Sequence, residues 1–196
     1  MTDQEYAEAM QVLASYSAKE VLFRTLFAET RGQPIEAQVG VGSVIRKRLF
    51  DSRWPDTFQQ VCLQPAQFSC YNPGDPNFPK LLDPEANERP EVLAQLRHVA
   101  AGIVDGLFLD NVSGANHYYD LSIIVGRGQQ RDPVRLQRYL KAVDLILLPL
   151  AYTGAQREEI EAAKDLIHTL VKDLPPKWDN ETLPVARKGQ LVFFRL

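Results

Sequence analysis

Glu29 combines a titratable carboxyl group with a position that favours its protonated form. Residues 17–34 have a helical pattern that places Glu29 on one face with Ala18, Leu22 and Leu26. Burial on this otherwise apolar face, and the negative end of the helix dipole, both raise the pKa of a carboxylic acid. An acid that stays protonated near neutral pH can serve as a general acid in catalysis. A helix that frays just before Glu29 would instead leave it as a solvated surface acid.

The helices around Glu29 follow from the spacing of apolar residues. Residues 5–28 predict one helix, or two with a break near residues 15–17. Pro34 is typical of the first position of a helix, so another helix is expected to begin there. Its small residues indicate close approach of a neighbouring helix, because small residues otherwise cost helix stability. These residues are Ala37, Gly40, Gly42 and Ser43, and the basic triplet that follows them (Arg46, Lys47, Arg48) predicts a solvated helix end.

The remainder of the chain alternates between loops, helices and a final strand. Residues 51–90 are rich in proline, asparagine and aspartate, which is typical of a long binding loop. A helix is expected to begin at Pro90, and residues 111–120 are dense in hydrogen-bonding side chains. Residues 121–174 predict an antiparallel helical hairpin. The β-branched and aromatic residues of 189–196 predict a strand.

Composition excludes several classes of protein. The chain has 196 residues, 45% hydrophobic and 24% charged, as is typical of a globular protein. A net charge of −3 gives no basic footprint for nucleic acid, and no segment reaches the roughly 18 apolar residues of a transmembrane helix. The acidic N-terminus is not typical of a signal peptide, so we expect synthesis in the cytoplasm. Cys62 and Cys70 would stay thiols in a reducing cytosol and could bridge after export.

Four blocks of residues, taken in order, are typical of one family. The first block is Ala28-Glu-Thr-Arg-Gly-Gln-Pro34 followed by Gln38-Val-Gly-Val-Gly-Ser-Val-Ile-Arg-Lys-Arg48. The others are Gln64-Pro-Ala-Gln-Phe-Ser69, Gly114-Ala-Asn-His-Tyr-Tyr119 and Pro175-Pro-Lys-Trp178. Any one block is a weak signal, but four in the right order are a strong one. The sequence resembles the SleB-type cell-wall hydrolases, a family that includes the spore cortex-lytic enzymes.

Two features depart from the family pattern. Residues 121–174 separate the third block from the fourth, where the family has only a short connection, so this hairpin looks like an insertion. The predicted catalytic domain is therefore residues 1–120 together with 175–196. The family often has a histidine near the C-terminus, and residues 189–194 of this chain contain none. A phage-encoded lysin, released through a holin or carried on the virion to the cell wall, fits the expected absence of a signal peptide.

The resemblance implies a mainly helical (α+β), lysozyme-like fold that cleaves the MurNAc-GlcNAc β-1,4 bond of peptidoglycan. The family's catalytic acid is the glutamate of its Glu-x-Arg-Gly segment, which corresponds to Glu29. A lytic transglycosylase needs this carboxyl group alone: the acid protonates the leaving oxygen and then acts as base while the sugar's C6 hydroxyl closes a 1,6-anhydro ring. We expect this reaction, because no second acid lies in a recognisable motif.

Two alternatives stay open. A hydrolytic lysozyme would need a second carboxyl group about 5 to 9.5 Å from the first. The candidates for it are Asp51, Asp56, Asp75 and Asp120. A non-catalytic virion or wall-binding protein could keep the same fold, although the intact Glu-x-Arg-Gly segment argues against that.

The same blocks supply the expected substrate-binding residues. Gln67 and Ser69 would hydrogen-bond sugar groups, and Phe68 and Tyr71 would stack on sugar faces, with core packing as the alternative for Phe68. His117 would orient the substrate or Glu29, or else be structural, and its neighbours Asn116, Tyr118 and Tyr119 would bind substrate. No metal site and no cofactor are expected. The expected partner is the peptidoglycan glycan strand, with a virion protein or a second copy as a partner for the hairpin.

Overall fold

The computed structural model describes residues 1–120, 133–153, 156–170 and 183–196. They form two compact units, Met1–Asn111 and Val112–Leu196. Most described residues are helical, with one small sheet, which confirms the predicted fold class. No helix in the described ranges is long and apolar enough to span a membrane. The fourth sequence block, residues 175–178, lies outside the described residues.

The first unit consists of helices and one 3-10 turn. Its elements are α1 (Asp3–Ser15), α2 (Ala18–Thr30), α3 (Ile35–Leu49), α4 (Phe58–Leu63), the 3-10 turn Ser69–Tyr71, α5 (Phe78–Leu82) and α6 (Pro90–Val104). The predicted break near residues 15–17 is confirmed, because the Ser17 hydroxyl accepts a hydrogen bond from the Glu20 amide and so begins α2. α2 continues to Thr30, so the alternative in which it frays before Glu29 is wrong.

α2 is the central helix of this unit. Every residue from Val21 to Phe27 is buried, and the helix packs against α3, α4, α5 and α6. A helix that is apolar on all sides requires neighbours on all sides. Its one buried cation, Arg24, is neutralised by Glu20 at 2.7 Å and donates to the backbone oxygen of Leu82 at 2.9 Å. In the last turn of α2, Ala28 and Glu29 are half-buried.

The predicted close approach at α3 is confirmed. A Cβ added to Gly42 would lie 2.8 Å from Cγ1 of Ile103, a buried residue of α6. Real Cβ atoms do not approach neighbouring atoms so closely, so α3 and α6 can pack at this distance only because position 42 has no side chain.

The second unit consists of a three-stranded antiparallel sheet and helices. Its elements are β1 (His117–Asp120), α7 (Pro133–Ala142), a π-helical turn (Val143–Leu147), α8 (Leu148–Thr153), α9 (Arg157–Leu170), β2 (Pro184–Lys188) and β3 (Leu191–Phe194). The strand order is β1-β3-β2, with His117 opposite Phe194 and Asp120 opposite Leu191. The strand predicted within residues 189–196 is thus confirmed as β3.

The segment from α7 through the π-helical turn buries apolar side chains on the sheet. Leu140, Val143 and Leu147 form one core with Val192 and Phe194 of β3. The Arg187 guanidinium on β2 also donates to both oxygens of Asp144, at 2.6 and 2.5 Å. The segment predicted to be an insertion therefore contributes to the core beside the C-terminal strands, and its status as an insertion stays a prediction.

We predict that Gly42→Ala destabilises the first unit. Alanine favours a helix over glycine by about 1 kcal/mol, but overpacking a core costs about 1–3 kcal/mol. The net loss should be about 1 kcal/mol in the free energy of unfolding, measured by urea denaturation. Gly32→Ala is the matched control, because nothing lies within 4 Å of the added atom. Ile103→Ala removes the clashing Cγ1, so it should cost less in the Gly42→Ala background than in wild type. Equal stability of Gly42→Ala and Gly32→Ala would contradict the predicted clash.

Candidate active site

The end of α2 that carries Glu29 is fixed by side chains from other helices. Gln38 of α3 is buried, and its amide donates to the backbone oxygen of Gln33 at 3.0 Å. Gln95 of α6 in turn donates to the Gln38 side-chain oxygen at 2.9 Å. The Thr30 hydroxyl donates back to the Leu26 carbonyl at 2.6 Å. The Gln38 amide also donates to the carbonyl oxygen of Thr30, the last residue of α2, at 3.5 Å. This bond joins the last turn of α2, in which Glu29 is half-buried, to α3.

The 3-10 turn Ser69–Tyr71 is attached to α2 through Tyr71. Thr25 lies one helical turn before Glu29 on the same face. The Thr25 hydroxyl donates to the Val21 carbonyl at 2.9 Å, so it accepts a hydrogen bond from the Tyr71 hydroxyl, 2.8 Å away. The Tyr71 carbonyl accepts a further bond from the Tyr6 hydroxyl of α1 at 2.7 Å. Burial raises the pKa of Tyr71 well above its usual value, so this hydroxyl stays protonated.

Cys70, the residue before Tyr71, lies near Glu29. The Cys70 thiol is 1% exposed, and it lies near enough to Glu29 for the charge of that carboxylate to act on it. Burial raises the pKa of the Cys70 thiol, and the nearby Glu29 carboxylate raises it further. The Cys70 thiol therefore stays protonated at neutral pH.

Arg48 of α3 contacts Gln67 and Phe68, the two residues just before the 3-10 turn Ser69–Tyr71. It was predicted to lie at a solvated helix end, which is wrong: Arg48 is 5% exposed, although Lys47 is exposed. Its guanidinium carbon lies 5.7 Å from the Phe68 ring centre, and its Nη1 donates to the Gln67 side-chain oxygen at 3.2 Å. Gln67 is half-buried in this contact. One cation of α3 therefore orients two residues predicted to bind substrate.

The aromatic residues of this block are not at the surface. Phe68 is 2% and Tyr71 4% exposed. A buried ring presents no face to a sugar, so the core-packing alternative describes Phe68, and we propose sugar stacking for neither residue. Ser69, between them in the chain, is exposed.

The four candidate second carboxylates differ in their surroundings. Hydrogen bonds from Arg53 lower the pKa of Asp51 to about 2, and Asp51 follows the far end of α3, which is about 20 Å long. Asp56 is exposed. Asp75 is half-buried, and its charge acts on Cys70, as the charge of Glu29 does. Asp120 belongs to the second unit, at the end of β1. Asp75 is therefore the candidate that shares a neighbour with Glu29.

The remaining predicted residues lie in the second unit. Asn116 is buried and exchanges two hydrogen bonds with the backbone of Leu196, at 2.8 and 2.9 Å, which fixes its amide orientation. The Asn116 oxygen also contacts Nδ1 of His117 at 2.8 Å, so Nδ1 carries a proton there. Tyr118 packs on Phe193 with ring centres 6.2 Å apart, and Tyr119 packs against the core beneath β3.

Sequence reasoning missed three residues that organise the first unit's site: Thr25, Arg48 and Cys70. Thr25 could have been found from its spacing of four residues before Glu29 on the same helix face. Cys70 directly follows the Gln-Pro-x-Gln-Phe-Ser block, but its proximity to Glu29 depends on a fold that spacing alone does not give. Cys62, the other cysteine, is also a buried free thiol in this structure.

We predict that both thiols resist alkylation in the folded protein at pH 8. Burial raises the pKa of Cys62 to about 12 and shifts the pKa of Cys70 in the same direction, so little thiolate forms. Because the thiolate is the reactive species, labelling of reduced native protein should be roughly 100-fold slower than labelling after unfolding. Intact-mass spectrometry after iodoacetamide treatment measures this. Rapid labelling of either thiol under native conditions would contradict the described burial.

Comparison with known proteins agrees with the architecture. A family model described as cell wall hydrolase matches residues 32–141, a range that begins just after Glu29. Among solved structures, the chain is similar to the catalytic domain of the germination-specific lytic transglycosylase SleB from Bacillus anthracis, with a TM-score of 0.50 and 15% identity over 92% of this chain and 98% of that chain. At this identity the likeness shows the fold alone, and no curated protein sequence matches. Because the family match spans more than half of the sequence, the chain belongs to the cell wall hydrolase family.

Proposed function

We propose that this protein is a peptidoglycan-cleaving muramidase, and specifically a lytic transglycosylase that cuts the MurNAc-GlcNAc β-1,4 bond. Family membership supports cell-wall cleavage. The observation that carries the assignment to Glu29 is its position: a half-buried carboxyl group in the last turn of the central helix α2. Such a group is accessible to a substrate and held in one orientation.

In the proposed reaction Glu29 serves twice. The protonated carboxyl group gives its proton to the glycosidic oxygen, and the bond from that oxygen to C1 of MurNAc breaks. The resulting carboxylate then removes the proton from the C6 hydroxyl of the same sugar as its oxygen bonds to C1. This step closes the 1,6-anhydro ring and returns Glu29 to its protonated form. No water enters the product, so no second carboxylate is needed.

Hydrolysis is the competing reaction, and it would depend on Asp75. Asp51 is already engaged by Arg53 beyond the far end of α3, which argues against it as a partner of Glu29. Asp75 is electrostatically close to Cys70, the residue on which the charge of Glu29 also acts. A carboxylate there could activate water on the opposite face of the sugar, as inverting glycosidases require.

Substrate contacts are proposed for the polar residues of both units. Ser69 is exposed beside Cys70, and Gln67 keeps donor groups on its amide while its oxygen is bound by Arg48. In the second unit His117, oriented by Asn116, would bind sugar, with Tyr118 and Tyr119 as its neighbours in the chain. A phage origin, a virion partner and a homodimer through residues 121–174 stay predictions from the sequence.

We predict that Glu29→Gln abolishes wall cleavage while the fold is kept. Loss of a general acid costs roughly 10²- to 10⁴-fold in rate, and loss of the base adds to this. Release of soluble muropeptides from purified peptidoglycan measures the rate, and circular dichroism checks the fold. Glu91→Gln, an exposed acid in the first turn of α6, is the matched control and should be fully active. Activity of Glu29→Gln above about a tenth of wild type would refute the assignment.

We predict that the products end in 1,6-anhydroMurNAc and that Asp75→Asn retains cleavage. Mass spectrometry of the muropeptides distinguishes the anhydro end, which is lighter by one water, from a reducing end. Asp56→Asn, an exposed carboxylate, is the control for the loss of one charge. Reducing ends as the sole product, together with an inactive Asp75→Asn variant, would show the hydrolytic reaction instead.

A further inference from the structure

We propose that a groove at the far end of α3 binds the acidic stem peptides that the glycan strands of peptidoglycan carry. The inference rests on the proposed function, because the cell wall is the expected source of such a peptide. The groove belongs entirely to the first unit, and residues from the end of α3 and from the segment after α6 line it. Its volume is about 350 Å³, which lies within the range of small-ligand sites.

Exposed apolar side chains border this groove. Among the described residues, the three most exposed large apolar side chains are Phe50, Leu107 and Leu109, each at least 76% exposed. Phe50 directly follows α3 and Leu109 follows α6, yet both line the groove, and Leu107 is two residues from Leu109. Single exposed apolar residues are ordinary on a protein surface, but their convergence from two segments indicates a binding surface.

Two cations line the same groove. Arg46 and Lys47 belong to it, and no ion pair among the described residues engages either of them. Arg46 lies against the turn after α6, because a Cβ added to Gly106 would be 3.2 Å from its Nη2. Lys47 is exposed. The whole chain has a net charge of −3, so this pair forms a local positive site that favours an acidic ligand.

The charges and shape of the groove favour a peptide over other partners. Asp110 also lines the groove, and its negative charge opposes the approach of a densely anionic lipid surface. An uncharged sugar polymer would leave Arg46 and Lys47 unused. A stem peptide offers carboxylates to these two cations and small alkyl groups to Phe50 and Leu109. The amino group of its diamino residue is compatible with Asp110.

The position of the groove determines what peptide binding can do. Glu29 comes just before α3 in the chain, whereas the groove lies at the end of this helix, which is about 20 Å long. No bond is therefore made or broken in the groove. Its contribution is affinity for peptide-bearing strands, so a substitution there should change KM and leave kcat unaltered.

The test uses the free tetrapeptide L-Ala-γ-D-Glu-L-Lys-D-Ala, which has no glycosidic bond and so measures binding separately from cleavage. Isothermal titration of the full chain should show saturable binding. Lys47→Gln and Leu109→Ser should each weaken it about 3- to 10-fold, because one loses a charged contact and the other an apolar one. Both side chains are exposed, so the fold should be kept, as circular dichroism will check. Arg89→Gln, an exposed cation at the opposite end of α6, is the matched control and should bind like wild type.

Several outcomes would overturn the inference. One is the absence of saturable binding, and another is binding that neither Lys47→Gln nor Leu109→Ser weakens. Displacement of the tetrapeptide by N-acetylchitotetraose would show a sugar site instead. Without peptide binding, Leu109-dependent adsorption to vesicles of equal parts dioleoyl phosphatidylcholine and phosphatidylglycerol would show a lipid surface, and Leu109-dependent self-association would show an interface between copies.

Cleavage assays separate this inference from the proposed function. On purified peptidoglycan, Lys47→Gln should raise KM about 3- to 10-fold and leave kcat unchanged. An unchanged KM would overturn the role of the groove in substrate binding. If wild type binds the tetrapeptide but cleaves no peptidoglycan, the proposed function fails while the peptide site stands.

Discussion

The complete burial of α2 from Val21 to Phe27 constrains the residues around Glu29. From Val21 to Phe27 the helix has no solvent-facing side, so each polar group on it needs a protein partner. Arg24 is paired with Glu20, and the Thr25 hydroxyl is used by Val21 and Tyr71. A carboxyl group in the middle of this helix would be strongly disfavoured. At the last turn it is half-exposed, and there a titratable group can be both fixed and reachable.

The position of the 3-10 turn Ser69–Tyr71 depends on α2, because the Tyr71 hydroxyl is hydrogen-bonded to Thr25. Replacing Thr25 with an apolar residue would leave the buried Tyr71 hydroxyl without its acceptor, at a cost of about 1–3 kcal/mol. The effect would reach Glu29, because Cys70 is next to Tyr71 in the chain. Arg48 contributes in the same way from α3 by holding Gln67 and Phe68. The site of the first unit is therefore coupled to its core, and substitutions that look structural will alter the acid.

Sequence reasoning succeeded where short-range spacing decides the structure. The break before α2, the close approach at Gly42 and the strand β3 all follow from local pattern, and the structure confirms them. It failed for Arg48, because a basic residue at a helix end is usually solvated and only the fold brings the rings of Trp54 and Phe68 to 5.3 and 5.7 Å from its guanidinium carbon. It also left β1 unassigned, since a four-residue strand acquires its structure from pairing with β3 rather than from its own sequence.

The proposed mechanism with one carboxylate is consistent with the groups whose charge state Glu29 influences. Burial raises the pKa values of Cys70 and Tyr71, so both side chains are neutral at neutral pH. Neutral donors can stabilise a carboxylate as it forms, but they cannot themselves activate water. Activation of water would therefore require the charge of Asp75, whereas ring closure by the sugar's own hydroxyl requires only the carboxylate that the first proton transfer has just produced. The proposed reaction therefore asks of the first unit only one reachable carboxyl group, such as that of the half-buried Glu29.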